Sequence, residues 1–325
     1  MRKLATLAAG LMFSCGFVYP AAAQDYPTRP ITMVVPFAAG GPADSLARVM
    51  AEAMGRALGQ TVLVEDVTGA AGSIGVGRVA HATPDGYTIS IGHLGTHVVN
   101  GAIYDLSYDL VKDLAPIAQL PSNPMFITSK LGVPAKNLKE LVAWIKASDH
   151  PVTAGTAGVG SASHIASVYF QNLTGTHLQF VPYRGTGPAL VDLVAGQIDM
   201  IVDQSSNSLP QLRNNTIRAY AVTAKARLAS APDIPTVDEA GIPGYYVKIW
   251  YGLWAPAGTP QDIVAKLTKA AMAAMADPKV GQRFADLGLD VPPLAQQGAD
   301  GLATLQRAEI AKWWPIIKAA GIKAE

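Results

Sequence analysis

Val34-Val-Pro-Phe-Ala-Ala-Gly-Gly-Pro-Ala-Asp-Ser-Leu-Ala-Arg48 is the stretch around which the chain is read. The apolar run Ile31 to Val35 reads as a buried strand, and it breaks at Pro36 and at Gly40-Gly41 before a helical pattern begins. Strand, glycine turn and helix start follow one another. Two adjacent glycines let the main chain approach a ligand with no Cβ in the way, and the first-turn N–H groups beyond them lack a partner inside the helix. Together with the helix dipole, those groups favour an anion, each aligned helix end contributing about 0.3–1 kcal/mol. An ordinary tight connection reads the same way, so the choice rests on the rest of the chain.

Outward from this stretch, Leu46, Val49, Met50, Ala53, Met54, Ala57 and Leu58 recur at helical spacing until Gly59. A short strand at Thr61 to Glu65 leads into the glycine-rich Gly69 to Gly77, then a helix to about Ala82, a turn at Pro84-Asp85-Gly86 and a strand at Tyr87 to Ile91. Alternation at this pitch is the signature of parallel βαβ units. In such sheets the loops leaving the strands' carboxyl ends share a crevice, which here collects Phe37 to Pro42, Gly69 to Gly77 and Gly92 to His97.

Pro116 to Lys130 is long and extended and reads as a crossover into a second α/β lobe. There, strands at Val152 to Gly155, Leu178 to Pro182, Ile198 to Asp203 and Ile217 to Thr223 alternate with helices at Leu138 to Ile145, from the turn Gly158 to His164 to about Leu173, and at Ala189 to Ala195. Ser161 or Ser163 is typed to cap the second of these helices. Tyr246 to Ala255 reads as the return crossing, and helices from Pro260, Pro278 and Gly298 rejoin the first lobe. The expected division is a leader at 1–23, one lobe from 24–123 plus 250–325, and a second from 124–249.

The 325 residues are half hydrophobic and 15% charged, which describes a packed globular chain long enough for two lobes. Arg2-Lys3, the apolar Leu4 to Val18 and Ala21-Ala22-Ala23 read as a secretory signal cleaved before Gln24, with no later window long and apolar enough to span a bilayer. The single cysteine, Cys15, lies inside that leader, so the mature chain has no disulfide; a lipoprotein box at Cys15 is the weaker alternative. Without the leader's two cations, 23 basic side chains face 24 acidic ones, and no basic cluster offers a footprint for nucleic acid.

Several constellations invite chemistry. Ser161, Ser163 and His164, with Asp199 or Asp203, suggest a secreted serine esterase, but Gly158-Val-Gly-Ser-Ala is not the Gly-x-Ser-x-Gly of a nucleophile elbow. His93 and His97 stand four apart, as in zinc helices, yet Gly95 lies between them and no glutamate accompanies them. Gly72-Ser-Ile-Gly-Val-Gly77 reverses the dinucleotide fingerprint, and no phosphate-loop Gly-Lys-Ser/Thr follows any strand. The expectation is therefore no catalysis, no metal and no cofactor. What survives is a convergent anion site of backbone N–H groups with hydroxyls from Ser73, Thr96, Ser161 and Ser163.

Tyr26-Pro-Thr-Arg-Pro-Ile-Thr-Met-Val-Val-Pro-Phe-Ala-Ala-Gly-Gly41, Ala71-Gly-Ser-Ile-Gly75, Thr83-Pro-Asp-Gly-Tyr87, Val181-Pro-Tyr-Arg-Gly-Thr-Gly-Pro-Ala-Leu190, Gly196-Gln-Ile-Asp199, Asp233-Ile-Pro-Thr-Val-Asp-Glu-Ala-Gly241 and Leu253-Trp-Ala-Pro-Ala-Gly-Thr259 resemble the substrate-binding receptors of tripartite tricarboxylate transporters, the Bug family. The resemblance runs from about Tyr26 to the C-terminus. It implies a monomeric periplasmic receptor with the type II binding-protein fold, α/β in both lobes with a mostly parallel sheet in each and two crossover strands as hinge. Such a receptor closes on an organic acid and delivers it to a membrane permease. The family grips one carboxylate between the first two loops, partly through ordered waters; here these are Phe37, Ala39, Gly40 and Gly41, with Ala71, Gly72 and Ser73. Ser161, Ser163, Gly185, Thr186 and Asp203 are the matching turns of the far lobe. Asp66-Val-Thr-Gly-Ala-Ala-Gly72 departs from the family's Asn-Arg-Pro-Gly-Ala-Gly-Gly. His93, Trp250 and Tyr251 stand as candidate ligand readers, the aromatic pair tilting the expectation slightly toward an aromatic acid.

Overall fold

The computed structural model describes residues 26–319 and residue 323; the expected leader, with Cys15, lies outside them. The first lobe opens with β1 (Ile31–Val35), whose side chains are almost all buried, and α1 (Pro42–Leu58), which sets its apolar stripe against the sheet and stops at Gly59 in the left-handed region. Then come β2 (Val62–Asp66), a single 3₁₀ turn at Ala70–Gly72, α2 (Ser73–Ala80), β3 (Thr88–His93), a π turn at Gly95–Val99 and α3 (Asn100–Ile103). The long β4 (Leu114–Lys130) leaves this lobe.

The second lobe holds α4 (Leu138–Ala147), β5 (Thr153–Thr156), α5 (Ala162–Thr174), β6 (Gln179–Pro182), α6 (Thr186–Val194), β7 (Met200–Gln204), α7 (Ser205–Arg213) and β8 (Ile217–Val222). The return strand is β9 (Lys248–Pro256). It is followed by α8 (Gln261–Ala276), α9 (Pro278–Asp286) and α10 (Ala299–Ala319).

In each lobe three strands pair in parallel, β2-β1-β3 and β6-β5-β7, as the alternating pattern requires. The two crossing strands add antiparallel pairings: Leu114 to Pro124 of β4 lies against β9, while Met125 to Lys130 of the same strand lies between β7 and β8. One strand is therefore the edge of neither lobe and a member of both. Its register against β9 shifts between Pro116 and Ala118 and again between Leu120 and Ser122, beside Pro116 and Pro121, which have no N–H to give the ladder. Trp254 of β9 donates its indole N–H to Gln306 of α10, which in turn donates to the His97 and Leu110 carbonyls, so the last helix is tied back to the first lobe.

Two elements differ from the sequence expectation. α7, absent from the expected helices, has no apolar periodicity and contains Pro210; its helix is held where Ser208 bonds the buried Asp203 and Leu209 packs with Phe126 and Val222. Residues 92–97, read as a loop, turn instead into π geometry, which brings His93, Thr96 and His97 into one hydrogen-bonded cluster.

Candidate functional site

The carboxyl ends of β1, β3, β5 and β7 and the N-termini of α1, α5 and α6 converge between the lobes. The lobes touch there: the Ala38 N–H donates to the Arg184 carbonyl across the cleft at 3.0 Å, and Tyr104 bonds the Val159 carbonyl. Phe37 divides the enclosed space. On its inner side, Phe37, Gly41, Pro42, Ala43, His93, Met125, Ala157, Ser161, Ala162, Ser163, Thr186, Gln204 and Tyr251 line a slot between the lobes. On its outer side, Gly69 to Gly72, Tyr104, Ala157 to Val159, Tyr183 and Arg184 line a wider space that opens to solvent.

In the first loop the Gly40 amide is taken by the chain itself. Gly40, at φ +79°, donates its N–H to Asp44 Oδ2 at 2.8 Å, and Asp44 Oδ1 is paired with Arg48 at 2.8 Å. The charge that the α1 terminus favours is thus supplied by the chain's own first-turn carboxylate. Gly41, Pro42 and Ala43 form the wall, while Ala39 and Gly40 lie outside it.

In the second loop, Gly69, Ala70, Ala71 and Gly72 are consecutive left-handed residues, at φ 128°, 44°, 47° and 93°. For the two alanines that conformation costs about 1–2 kcal/mol each. Asn100 holds the turn by donating to the Ala71 carbonyl at 3.0 Å and to Ser73 Oγ at 3.1 Å. A Cβ at Gly72 would stand 2.6 Å from Thr96 Cγ2, so only glycine lets the turn pack there. Ala71 and Gly72 face the outer space. Ser73 and Thr96 are buried supports: the Thr96 hydroxyl is tied to the His93 backbone and to His97 Nδ1.

In the far lobe, Ser161 caps α5, its Oγ accepting the His164 N–H, and Ser163 Oγ accepts the Ala157 N–H at 2.9 Å. The two hydroxyls are 3.1 Å apart. One proton closes that mutual bond and the other remains a donor to the cavity. No relay forms: His164 Nδ1 accepts from Gly160, Asp199 bonds Thr153 and Lys130, and Asp203 bonds Asn207 and Ser208. Gly185 presses on Ala38 at the lobe contact, and Thr186 lines the cavity with fully buried Asp203 close behind it.

The side chains that line the inner cavity are uncharged at neutral pH. Its walls carry no lysine, arginine, aspartate or glutamate. Burial pushes His93 down to about 4, so the imidazole is uncharged at neutral pH. Burial pushes Asp203 up to about 6 against the hydrogen bonds from Ser208, Asn207 and Thr186. Among the candidate aromatics, Tyr251 lines the cavity and Trp250, on the opposite face of β9, packs near Trp254. The sequence reading missed Gln204, Met125 and Ala157. Gln204 follows an aspartate already singled out, but only the α7 turn aims it inward.

The profile of the family described as "Tripartite tricarboxylate transporter family receptor" matches residues 46–322. Three solved structures are similar over nearly their whole length. The periplasmic binding protein BugD has a TM-score of 0.88 at 40% identity, covering 92% of this chain and 100% of its own. MatC from Rhodopseudomonas palustris with bound malate has 0.86 at 40%, covering 90% and 100%. Rpa4515 from R. palustris with adipate has 0.87 at 31%, covering 92% and 100%. A profile match over most of the chain, on a two-lobed fold with the cleft just described, shows that this chain belongs to the tripartite tricarboxylate transporter receptor family, the Bug-type periplasmic solute-binding proteins.

Proposed function

We propose that this chain is a periplasmic receptor that closes on an unbranched aliphatic dicarboxylate of about four to six carbons and hands it, chemically unchanged, to the membrane permease of a tripartite transporter. The observation that carries the reading is the wall chemistry: a slot between two lobes whose polar groups are neutral donors, with no cationic side chain. Malate in MatC and adipate in Rpa4515 support the acid class and its size. Of the aromatic pair that tilted the sequence expectation toward a ring, only Tyr251 lines the slot.

In this reading Phe37, Gly41, His93, Ser161, Ser163 and Thr186 touch the ligand. Ala71 and Gly72 guard the outer side. Ala39, Gly40, Ser73, Thr96, Gly185 and Asp203 hold those groups in place. The lobes comprise 24–123 with 250–325, and 124–249, and Met1 to Ala23 is the exported protein's leader, Cys15 not being lipidated. The absence of a serine–histidine–aspartate relay at Ser161 and Ser163 supports binding without turnover.

Calorimetric titration against C3 to C8 dicarboxylates, monocarboxylates and benzoates tests the reading. Micromolar or tighter binding of a C4–C6 diacid, recovered unaltered, is expected; binding of aromatic acids alone, or of no acid, would refute it. Ligand at 100 times its Kd should also raise unfolding free energy by about 2.7 kcal/mol.

A further inference from the structure

The floor of the inner cavity is built from strand ends rather than helix tips. His93 closes β3 and pairs in register with Tyr251 of β9; Gln204 closes β7 and pairs with Met125 of β4. The His93 ring lies stacked on Phe37, centroids 5.1 Å apart, and edge-on to Tyr251 at 5.4 Å. Both residues are therefore fixed by packing as well as by backbone pairing.

Their hydrogen bonds decide which atoms face the ligand. The Gly95 N–H donates to His93 Nδ1 at 2.9 Å, which makes Nδ1 the acceptor and leaves the proton of the neutral ring on Nε2. The Tyr251 hydroxyl donates to Gln204 Oε1 at 2.6 Å, which holds the amide oxygen toward β9 and leaves its two N–H groups. Both residues line the cavity, and neither His93 Nε2 nor Gln204 Nε2 meets an acceptor among the described residues. Asp203, the nearest carboxylate in sequence, is turned away toward Ser208 and Asn207.

The floor thus turns the N–H donors of two side chains toward the ligand. A carboxylate, which only accepts, satisfies these donors; an ammonium or a primary amide would set its own N–H groups against them. We infer that His93 Nε2 and Gln204 Nε2 together read the far carboxylate of the ligand and reject ligands carrying an ammonium or amide at that end. The inference rests on the carboxylate-receptor reading and adds to it the residues that demand a second carboxylate. Discrimination is achieved by engaging an acceptor on each of two side chains so that their N–H groups turn to the ligand, not by placing a cation.

The test titrates the wild-type chain, Gln204→Glu and His93→Phe with a C4 and a C6 dicarboxylate and with their mono-amides, after thermal unfolding has shown each variant folded. Wild type should prefer the diacid to the mono-amide by at least about tenfold. Gln204→Glu brings a carboxylate against the ligand's own; the diacid should weaken about 100-fold and the mono-amide, whose N–H groups the new carboxylate accepts, should not weaken. His93→Phe keeps the stack and loses the donor, so the diacid should weaken about tenfold and the mono-amide less. Equal losses for both ligands in the two variants, or undiminished diacid binding in both, would overturn the assignment. A wild type that binds neither ligand overturns the receptor reading itself, and this one with it.

Discussion

At the scale of single residues, the site combines two buried titratable types whose acid responses oppose each other. Folded His93 resists protonation down to about 4, and burial lowers His97 and His164 as well, whereas the unfolded chain takes up those protons below about 6.5. Acidification through that window therefore favours unfolding. Asp203 works in the other direction: folded, it holds its proton up to about pH 6, while in the unfolded chain it has lost it above about 3.9. Its contribution to stability is present at low pH and disappears as pH rises through 6. Between pH 7 and 4.5 that offset amounts to about 2 kcal/mol. Asp203→Asn preserves an acceptor for Ser208 and Asn207 and removes the titrating group. Relative to wild type it should lose about 2 kcal/mol more on going from pH 7 to pH 4.5. Urea unfolding at the two pH values measures this; parallel losses in both proteins would mean that Asp203 does not titrate there. None of this is legible in the sequence. Asp203 and His93 stand out by type and position, but their protonation states depend on burial that only the closed packing of β3, β7 and β9 creates.

At the scale of elements, strand-turn-helix units follow directly from residue patterns. The stripe of α1, the glycine stop at Gly59 and the serine cap of α5 are local properties, and local properties are what periodicity and capping report. α7 was hidden because its stability is tertiary, drawn from Asp203 and the Leu209 contact. At the α1 tip the pattern of free amides was visible, and so was Asp44, four residues beyond Gly40, a first-turn carboxylate that accepts the Gly40 N–H and adds a charge the helix dipole favours. The lobe contact itself depends on glycines. A Cβ at Gly187, in the first turn of α6, would stand 2.9 Å from the Gly41 nitrogen and 3.0 Å from the Gly40 carbonyl carbon, both backbone atoms of the opposite lobe. Gly187→Ala removes a poor helix former from α6, so the lobe itself should not suffer. Closure should, by the 1–3 kcal/mol typical of overpacking. Diacid affinity should fall about 5- to 150-fold with the melting temperature of the ligand-free protein unchanged or raised. Wild-type affinity in this variant would show that the lobes need not approach so closely.

At the scale of the whole molecule, β4 and β9 make two lobes into one mechanical object. The two crossings were legible because both are long extended apolar runs between regular α/β patterns, although the sharing of β4 between both sheets was not, since register is a property of pairs of strands. The consequence is cooperative. β4 contributes Leu114 to Pro124 to one sheet and Met125 to Lys130 to the other, and its Met125 amide bonds Thr223, whose hydroxyl in turn bonds the Val247 carbonyl at the entry to β9. Melting either lobe strips one half of a strand on which the other depends, so neither has a complete sheet alone. Differential scanning calorimetry of the ligand-free protein should show one transition with equal calorimetric and van't Hoff enthalpies. Because a diacid bridges walls from both lobes and the floor, it should move that single transition upward as a unit. Two resolved transitions, of which the ligand moves only one, would mean that the shared strands are a flexible tether and that each lobe folds by itself. In that case closure would be a docking of independent bodies, whereas the pairing of β4 with β9 on one side and with β7 and β8 on the other describes a bend within one continuous sheet.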